Sequence, residues 1–325
     1  MEKFIYSLGL VFSGLILGLF LKALIDKKWL NLPFNLLFIR KLLQKIALLF
    51  FNPIAFTGAI WIVNLDNLKY IALPFIGFSA LFTGGLLAYL FARTLHFNRK
   101  QTGTYIVSGA FTNIGSIGGL LCFIFLGESG FALMPFYKLL EEFSYFGFGF
   151  PLAKSYSEDI TKAESFLGRI RKVFSDPFVL VALAAILAGF SLNISRIPRP
   201  HFYQIINKIF IPTSTILLLS SIGMGMQFKG LSRYFKVSSY IALIKFLIIP
   251  VCITGIAWLM GFGQIQNGLP LKVVLILSSM PVGFIAMVPP TIYDLDVDLA
   301  NSNWLVTNIL LIVIIPLLYF LTAWM

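Results

Sequence analysis

Long apolar runs alternate with short polar breaks along the whole chain. Runs of about 20 residues, enough to cross a ~30 Å hydrocarbon layer, lie near 4–25, 41–63, 70–92, 104–126, 130–150, 175–194, 207–228, 238–262, 269–293 and 300–324. Ten such runs predict an all-α polytopic membrane protein. Two should not be straight, because Asn52-Pro53 interrupts the second and Pro281 and Pro289-Pro290 interrupt the ninth; proline removes a helix donor and crowds the preceding turn. Trp29, Trp61, Trp258, Trp304 and Trp324 all fall near run ends, where indole favours the headgroup level. The first run is too long for a signal-peptide core and leads into Asp26-Lys27-Lys28-Trp29 rather than a cleavage site, so it is expected to remain as a helix.

Length alone, 325 residues, would allow two soluble domains. Composition removes that reading: 58% of residues are hydrophobic and only 12% charged, the latter about half the usual share, and mean hydropathy is +0.91. The excess of 25 Lys and Arg over 13 Asp and Glu would suggest a nucleic-acid partner in a soluble protein. Here it reads as an insertion signal, since basic residues accumulate in cytoplasmic loops. The loops after runs one, three, five and seven, with Lys41 at the rim of run two, hold 15 of the Lys and Arg, and the opposite face holds Lys3, Lys69, Arg196, Arg199 and Lys208. That bias predicts a multi-pass cell-membrane protein with both termini outside the cytoplasm, the lipid bilayer as partner and no nucleic acid. Cys122 and Cys252 sit inside apolar runs and read as small core residues. His96 and His201 occupy separate basic loops, so no metal site or other cofactor is expected.

The longest connection, 151–174, is polar and mixed in charge. Read as a cytoplasmic linker, it divides the chain into a first half at 1–150 and a second at 175–325, five runs each. Five is odd, so the second half would enter the membrane from the opposite side, as in an inverted repeat. Pro53 in run two has a counterpart in Pro212 of run seven, and Gly-rich run four (Gly109, Gly115, Gly118, Gly119) matches Pro-rich run nine. Interrupted helices at equivalent positions point to a solute site near the midplane. The competing reading is that Gly115 and Gly119 form a small-residue packing face and that the prolines are tolerated kinks.

The stretch FTNIGSIGGLLCFIFLGESGFALMPFYKLLEEFSYFGFG at 111–149 resembles the fourth and fifth helices of the auxin efflux carrier family, which includes bacterial permeases and the plant PIN proteins. IPTSTILLLSSIGMGMQFKGLSRYFK at 211–236, IKFLIIPV at 244–251, and SSMPVGF with the following YDLDVDLANSNWLVTN agree with it in order and spacing. The resemblance implies ten helices as two inverted five-helix repeats, related to the bile-acid/sodium symporter-like fold. Helices four and nine would be broken and would cross, with substrate at the crossing and both termini outside. Two positions depart from the family pattern: Leu120 stands where a helix-four proline is usual, and Ile285 where bacterial relatives often have Asn.

Within this frame the candidate solute-binding residues are Asn113, Gly115, Ser116, Gly118 and Gly119 in run four and Pro281, Val282 and Gly283 in run nine. Unwound half-helix N-termini offer N–H groups and a positive dipole end to an anion. Lys138, Glu141 and Glu142 are spaced three and four apart, which places them on one helical face. Two acids for one lysine make a carboxylate there a candidate proton carrier; a structural ion pair is the alternative. Lys245 is another inner cation, either an anion attractor or a partner for that cluster. The expected function is secondary transport of small organic anions by alternating access, with H+ or Na+ coupling, direction and homodimer formation left open. A non-transporting receptor or scaffold and a channel are the alternatives. An enzyme is not expected, because no nucleophile–base or metal pair lies at depth, and no Gly-Lys-Ser/Thr phosphate loop supports direct use of ATP.

Overall fold

The computed structural model describes residues 2–27, 35–64, 67–157, 168, 171, 174–228 and 230–325. Most of the 151–174 linker, and Trp29, lie outside the described residues. Those described are helical apart from turns, short extended stretches and a single isolated β-bridge. Eight helical runs among them are long and apolar enough to cross a bilayer, which makes this a polytopic helical membrane protein.

The helices are α1 (Glu2–Asp26), α2 (Leu36–Ile62), α3 (Leu68–Thr94), α4 (Arg99–Ala110), α5 (Gly119–Tyr137), α6 (Glu141–Phe143, Ser144–Gly149 and Phe150–Ser155 in succession), α7 (Pro177–Ile194), α8 (Phe202–Gly223), α9 (Leu231–Leu259), α10 (Leu269–Ser278), α11 (Val288–Ile292) and α12 (Val297–Trp324). Eight long runs replace the ten expected for two reasons. Ile114–Ser155 is one nearly continuous helical stretch, turned at Gly127 (φ 74) where runs four and five were expected to part. Run nine is divided into α10, a short 3-10 turn and α11, each too short to span.

Run two does not break at its proline. A π-helical turn over Ala47–Phe51 precedes Pro53 and the helix continues beyond it. The same device precedes Pro151 (Ser144–Gly149) and Pro250 (Ile244–Ile248). A proline cannot complete the normal i→i−4 ladder, and one wider turn accommodates the lost bond without ending the helix.

The chain folds into two compact units, each drawing segments from both sides of the linker. The first comprises Met1–Asp66, Ser116–Pro135 and Asp176–Gln227. In it α1 lies against α8 so closely that a Cβ on Gly18 or Gly223 would overlap the facing backbone, small-residue packing of the kind that joins helices in lipid. The Asn193 side-chain amide donates to Ile60, Trp61 and Val63 carbonyls at 2.9, 3.0 and 2.8 Å, satisfying the C-terminus of α2. Arg199 pairs with Glu128 and donates to Gly58 O at 2.8 Å.

The second unit comprises Asn67–Gly115, Phe136–Ser175 and Phe228–Met325. Here α3 and α4 meet at Gly84 and Gly109, and α9 packs on α12 through a buried polar seam. Ser238 Oγ lies 2.9 Å from Ser302 Oγ and 2.8 Å from Asn303 Oδ1, and Asn303 Nδ2 donates to Ser108 Oγ on α4 at 3.0 Å. Asp296 caps α12, accepting from Leu299 N–H at 2.9 Å and from Tyr234 OH at 2.6 Å. Trp304, expected at the membrane rim, is instead fully buried two turns into α12 with its ring 6.1 Å from that of Phe284. Cys122 is buried, whereas Cys252 is exposed and therefore not a core residue.

Candidate functional site

Two helices of the second unit stop in mid-course, and their broken ends meet. α4 ends at Ala110 and leads into extended Phe111–Asn113; α10 ends at Ser278, and an extended stretch follows through Gly283. Thr112 and Val282 form an antiparallel bridge. Its hydrogen bonds run from Asn113 N–H to Pro281 O at 2.9 Å and from Gly283 N–H to Phe111 O at 3.1 Å. Breaking a helix in a membrane frees backbone groups that lipid cannot satisfy, and here each break satisfies the other. A side chain at position 283 would put its Cβ 2.9 Å from Thr112 O, so the close approach requires glycine.

In this pairing the polar groups of Thr112 and Val282 themselves point away from the partner strand, and side chains meet them. Tyr145 OH accepts from Thr112 N–H at 3.3 Å and lies 3.2 Å from Thr112 O, while Val282 N–H donates to Thr307 Oγ1 at 3.2 Å. Lys245, carried by the π-helical turn of α9, is fully buried and donates from Nζ to Thr112 Oγ1 at 2.6 Å. It forms no ion pair with a described carboxylate. A charge held at membrane depth costs at least about 2.5–3.5 kcal/mol, so an ammonium resting on a neutral hydroxyl calls for further compensation.

The acidic cluster joins the same network. Lys138 Nζ pairs with Glu141 Oε2 at 3.0 Å, and Tyr145 OH lies 2.7 Å from Glu141 Oε1. Glu141 is buried and Glu142 half-buried. The three residues do not share a regular helical face, because the chain leaves the helix in a turn at residues 138–140; Glu141 reaches Lys138 across that turn. Lys138 Nζ would lie 3.4 Å from a Cβ on Gly115.

The second unit therefore brings together Asn113, Gly115, Pro281, Val282, Gly283, Lys138, Glu141 and Lys245. Ser116, Gly118 and Gly119 belong to the first unit, where Thr215 Oγ1 donates to Ser116 O at 3.4 Å and a Cβ on Gly119 would sit 2.8 Å from Met134 Cε. Sequence reasoning missed Thr112, Tyr145 and Thr307. A signal existed for Tyr145, which stands four residues after Glu141 and so one helical turn along. On α12, Trp304 Nε1 and Asn308 Oδ1 are buried with no hydrogen-bond partner among the described residues. An apolar cavity of about 520 Å3 borders Phe111 and Tyr145, and its lining carries no charged side chain. Among the described residues no group of three or more His, Cys, Asp or Glu could hold a metal.

Comparison with known proteins places similar chains among transporters. Over 233 residues, 72% of each chain, it is 27% identical to a protein named as an uncharacterized transporter in Methanothermobacter thermautotrophicus. Over 257 residues, 77% of this chain and 78% of the other, it is 23% identical to a second protein so named in Methanocaldococcus jannaschii. No family model matches the chain.

Proposed function

We propose that the protein is a secondary-active transporter of small organic anions working by alternating access. The observation that carries this reading is the pair of helix breaks bridged at Thr112 and Val282 with the buried Lys245 ammonium resting on one of them. Discontinuous helices expose backbone dipoles where a solute can bind and be released to either side, and a buried cation without a described carboxylate partner gives an anion reason to enter. The names of the archaeal relatives support transport as the activity. The sequence resemblance supports the finer assignment: an auxin efflux carrier-like permease whose ten apolar runs form two inverted repeats, the broken runs four and nine crossing, in the cell membrane with both termini outside. Solute contacts are assigned to Asn113, Gly115, Pro281, Val282 and Gly283 of the second unit. Transport is coupled to H+ through the Lys138, Glu141 and Glu142 cluster, and no covalent chemistry is involved.

Counterflow in proteoliposomes tests it. Labelled mono- and dicarboxylates should exchange against the same unlabelled solute inside, with no exchange of neutral or cationic analogues. Exchange of none of the anions across such a panel would overturn the assignment.

A further inference from the structure

The hydroxyl of Tyr145 has one proton and two places to put it. Glu141 Oε1 lies 2.7 Å away and Thr112 O 3.2 Å away, and the same oxygen accepts from Thr112 N–H. While Glu141 is a carboxylate, its other oxygen is held by Lys138, and the hydroxyl proton belongs on Oε1, because a hydrogen bond to an ionised acceptor is the stronger one. A proton added to Oε1 reverses the order. The carboxylic acid becomes the donor to the Tyr145 oxygen, and the hydroxyl proton has the Thr112 carbonyl as its remaining acceptor. The one covalent change is the new O–H of Glu141, made as an O–H of the incoming hydronium breaks and water leaves; the tyrosine keeps its proton and only redirects it. The carbonyl so reached belongs to the residue whose flanking N–H and C=O groups tie the two helix breaks together, and whose hydroxyl holds Lys245.

We infer that Tyr145 is a positioning residue that transmits the ionisation state of Glu141 to the backbone of the helix break, donating to Glu141 when it is charged and to Thr112 O when it is neutral. This rests on the reading that transport is coupled to protons at the acidic cluster. The groups that set the charge of Glu141 lie close by. Lys138 is on the preceding turn, Glu142 is next in sequence, Tyr145 is on the π-helical turn of α6, and Lys245 on α9 donates to the hydroxyl of Thr112, the residue whose backbone Tyr145 meets. α3 packs on this segment at Gly77 and Tyr137. Its titratable residues lie toward its two ends: Lys69, against Gly261, and Tyr70 at the start, Tyr89 and Arg93, beside Tyr156, at the finish.

The test is Tyr145→Phe in the full-length protein, which removes the hydroxyl and keeps the ring packed on Phe111, now 4.2 Å between centroids. Accumulation driven by an imposed pH gradient should fall at least about tenfold more than counterflow falls, because the link between proton and solute is lost in addition to the hydroxyl's bonds to Thr112. The pH profile of counterflow should flatten in the variant. Adding Tyr145→Phe to Glu141→Gln should change accumulation no further, since both act through one contact. If the wild type accumulates solute equally well without a pH gradient, the proton-coupled reading fails and the inference with it. If the wild type is gradient-driven and Tyr145→Phe remains so, only the inference fails. Infrared difference spectra of the unmodified protein between acidic and neutral buffer give a second readout independent of variant folding. A tyrosine ring band should shift together with a carboxylic acid band, and both changes should vanish in Glu141→Gln. A carboxylic acid band that appears with no tyrosine change would overturn the inference.

Discussion

At the scale of single residues, the candidate site depends on backbone groups being met at the points where a helix is missing. Gly283 shows this most simply, because a methyl there would press on Thr112 O at 2.9 Å. Gly283→Ala should separate the two breaks and destabilise the protein by about 1–3 kcal/mol, the usual cost of overpacking. A melting temperature equal to that of the wild type in the same detergent would show that the crossing tolerates a side chain. Thr112 and Thr307 are not legible as site residues from spacing alone. Their roles come from the direction in which an extended residue points its N–H and C=O, and that is settled only when the pairing partner, Val282, is known. Glu141 and Lys138 are legible because a charge inside an apolar run is expensive wherever the chain places it.

At the scale of elements, the positions of most helices are legible from hydropathy, and the departures share a cause. Length marks a membrane span only while the helix stays whole. Run nine, 269–293, reads as one irregular span and proves to be α10 and α11 around an extended stretch; its apolar residues satisfy a broken element as well as a continuous one. Pro53 reads as an interruption, yet a proline preceded by room for a wider turn leaves the helix running. Trp304 falls at the rim only if run ten starts at residue 300; with α12 beginning at Val297, the indole lies two turns inside, against Phe284. The π-helical turn before Pro250 has a specific consequence, since it sets the direction of Lys245. Pro250→Ala restores the missing donor and lets the turn tighten toward α geometry, rotating Lys245 relative to Thr112. The variant should melt at or above the wild-type temperature while its affinity for solute falls about tenfold, a loss of roughly 1.4 kcal/mol. Unchanged affinity would show that the lysine keeps its place without the π turn.

At the scale of the molecule, charge distribution carries the orientation. Arg93, Arg99 and Lys100 flank the connection between α3 and α4, whereas the start of α3 offers only Lys69. With Cys122 and Cys252 replaced by Ser, a cysteine at exposed Leu68 should react with an impermeant thiol reagent in intact cells, and one at exposed Thr94 should react only after the membrane is opened. The reverse pattern would invert the topology. The central claim is that an anion is bound and carried where two broken helices meet beside Lys245. It is tested most directly by counterflow of wild type and Lys245→Met side by side in proteoliposomes, with melting temperatures taken on both. Methionine fills a similar volume without a buried charge, so the variant should be as stable as the wild type or more so, yet exchange at least about tenfold more slowly. A stable Lys245→Met protein that exchanges organic anions at the wild-type rate would contradict the account.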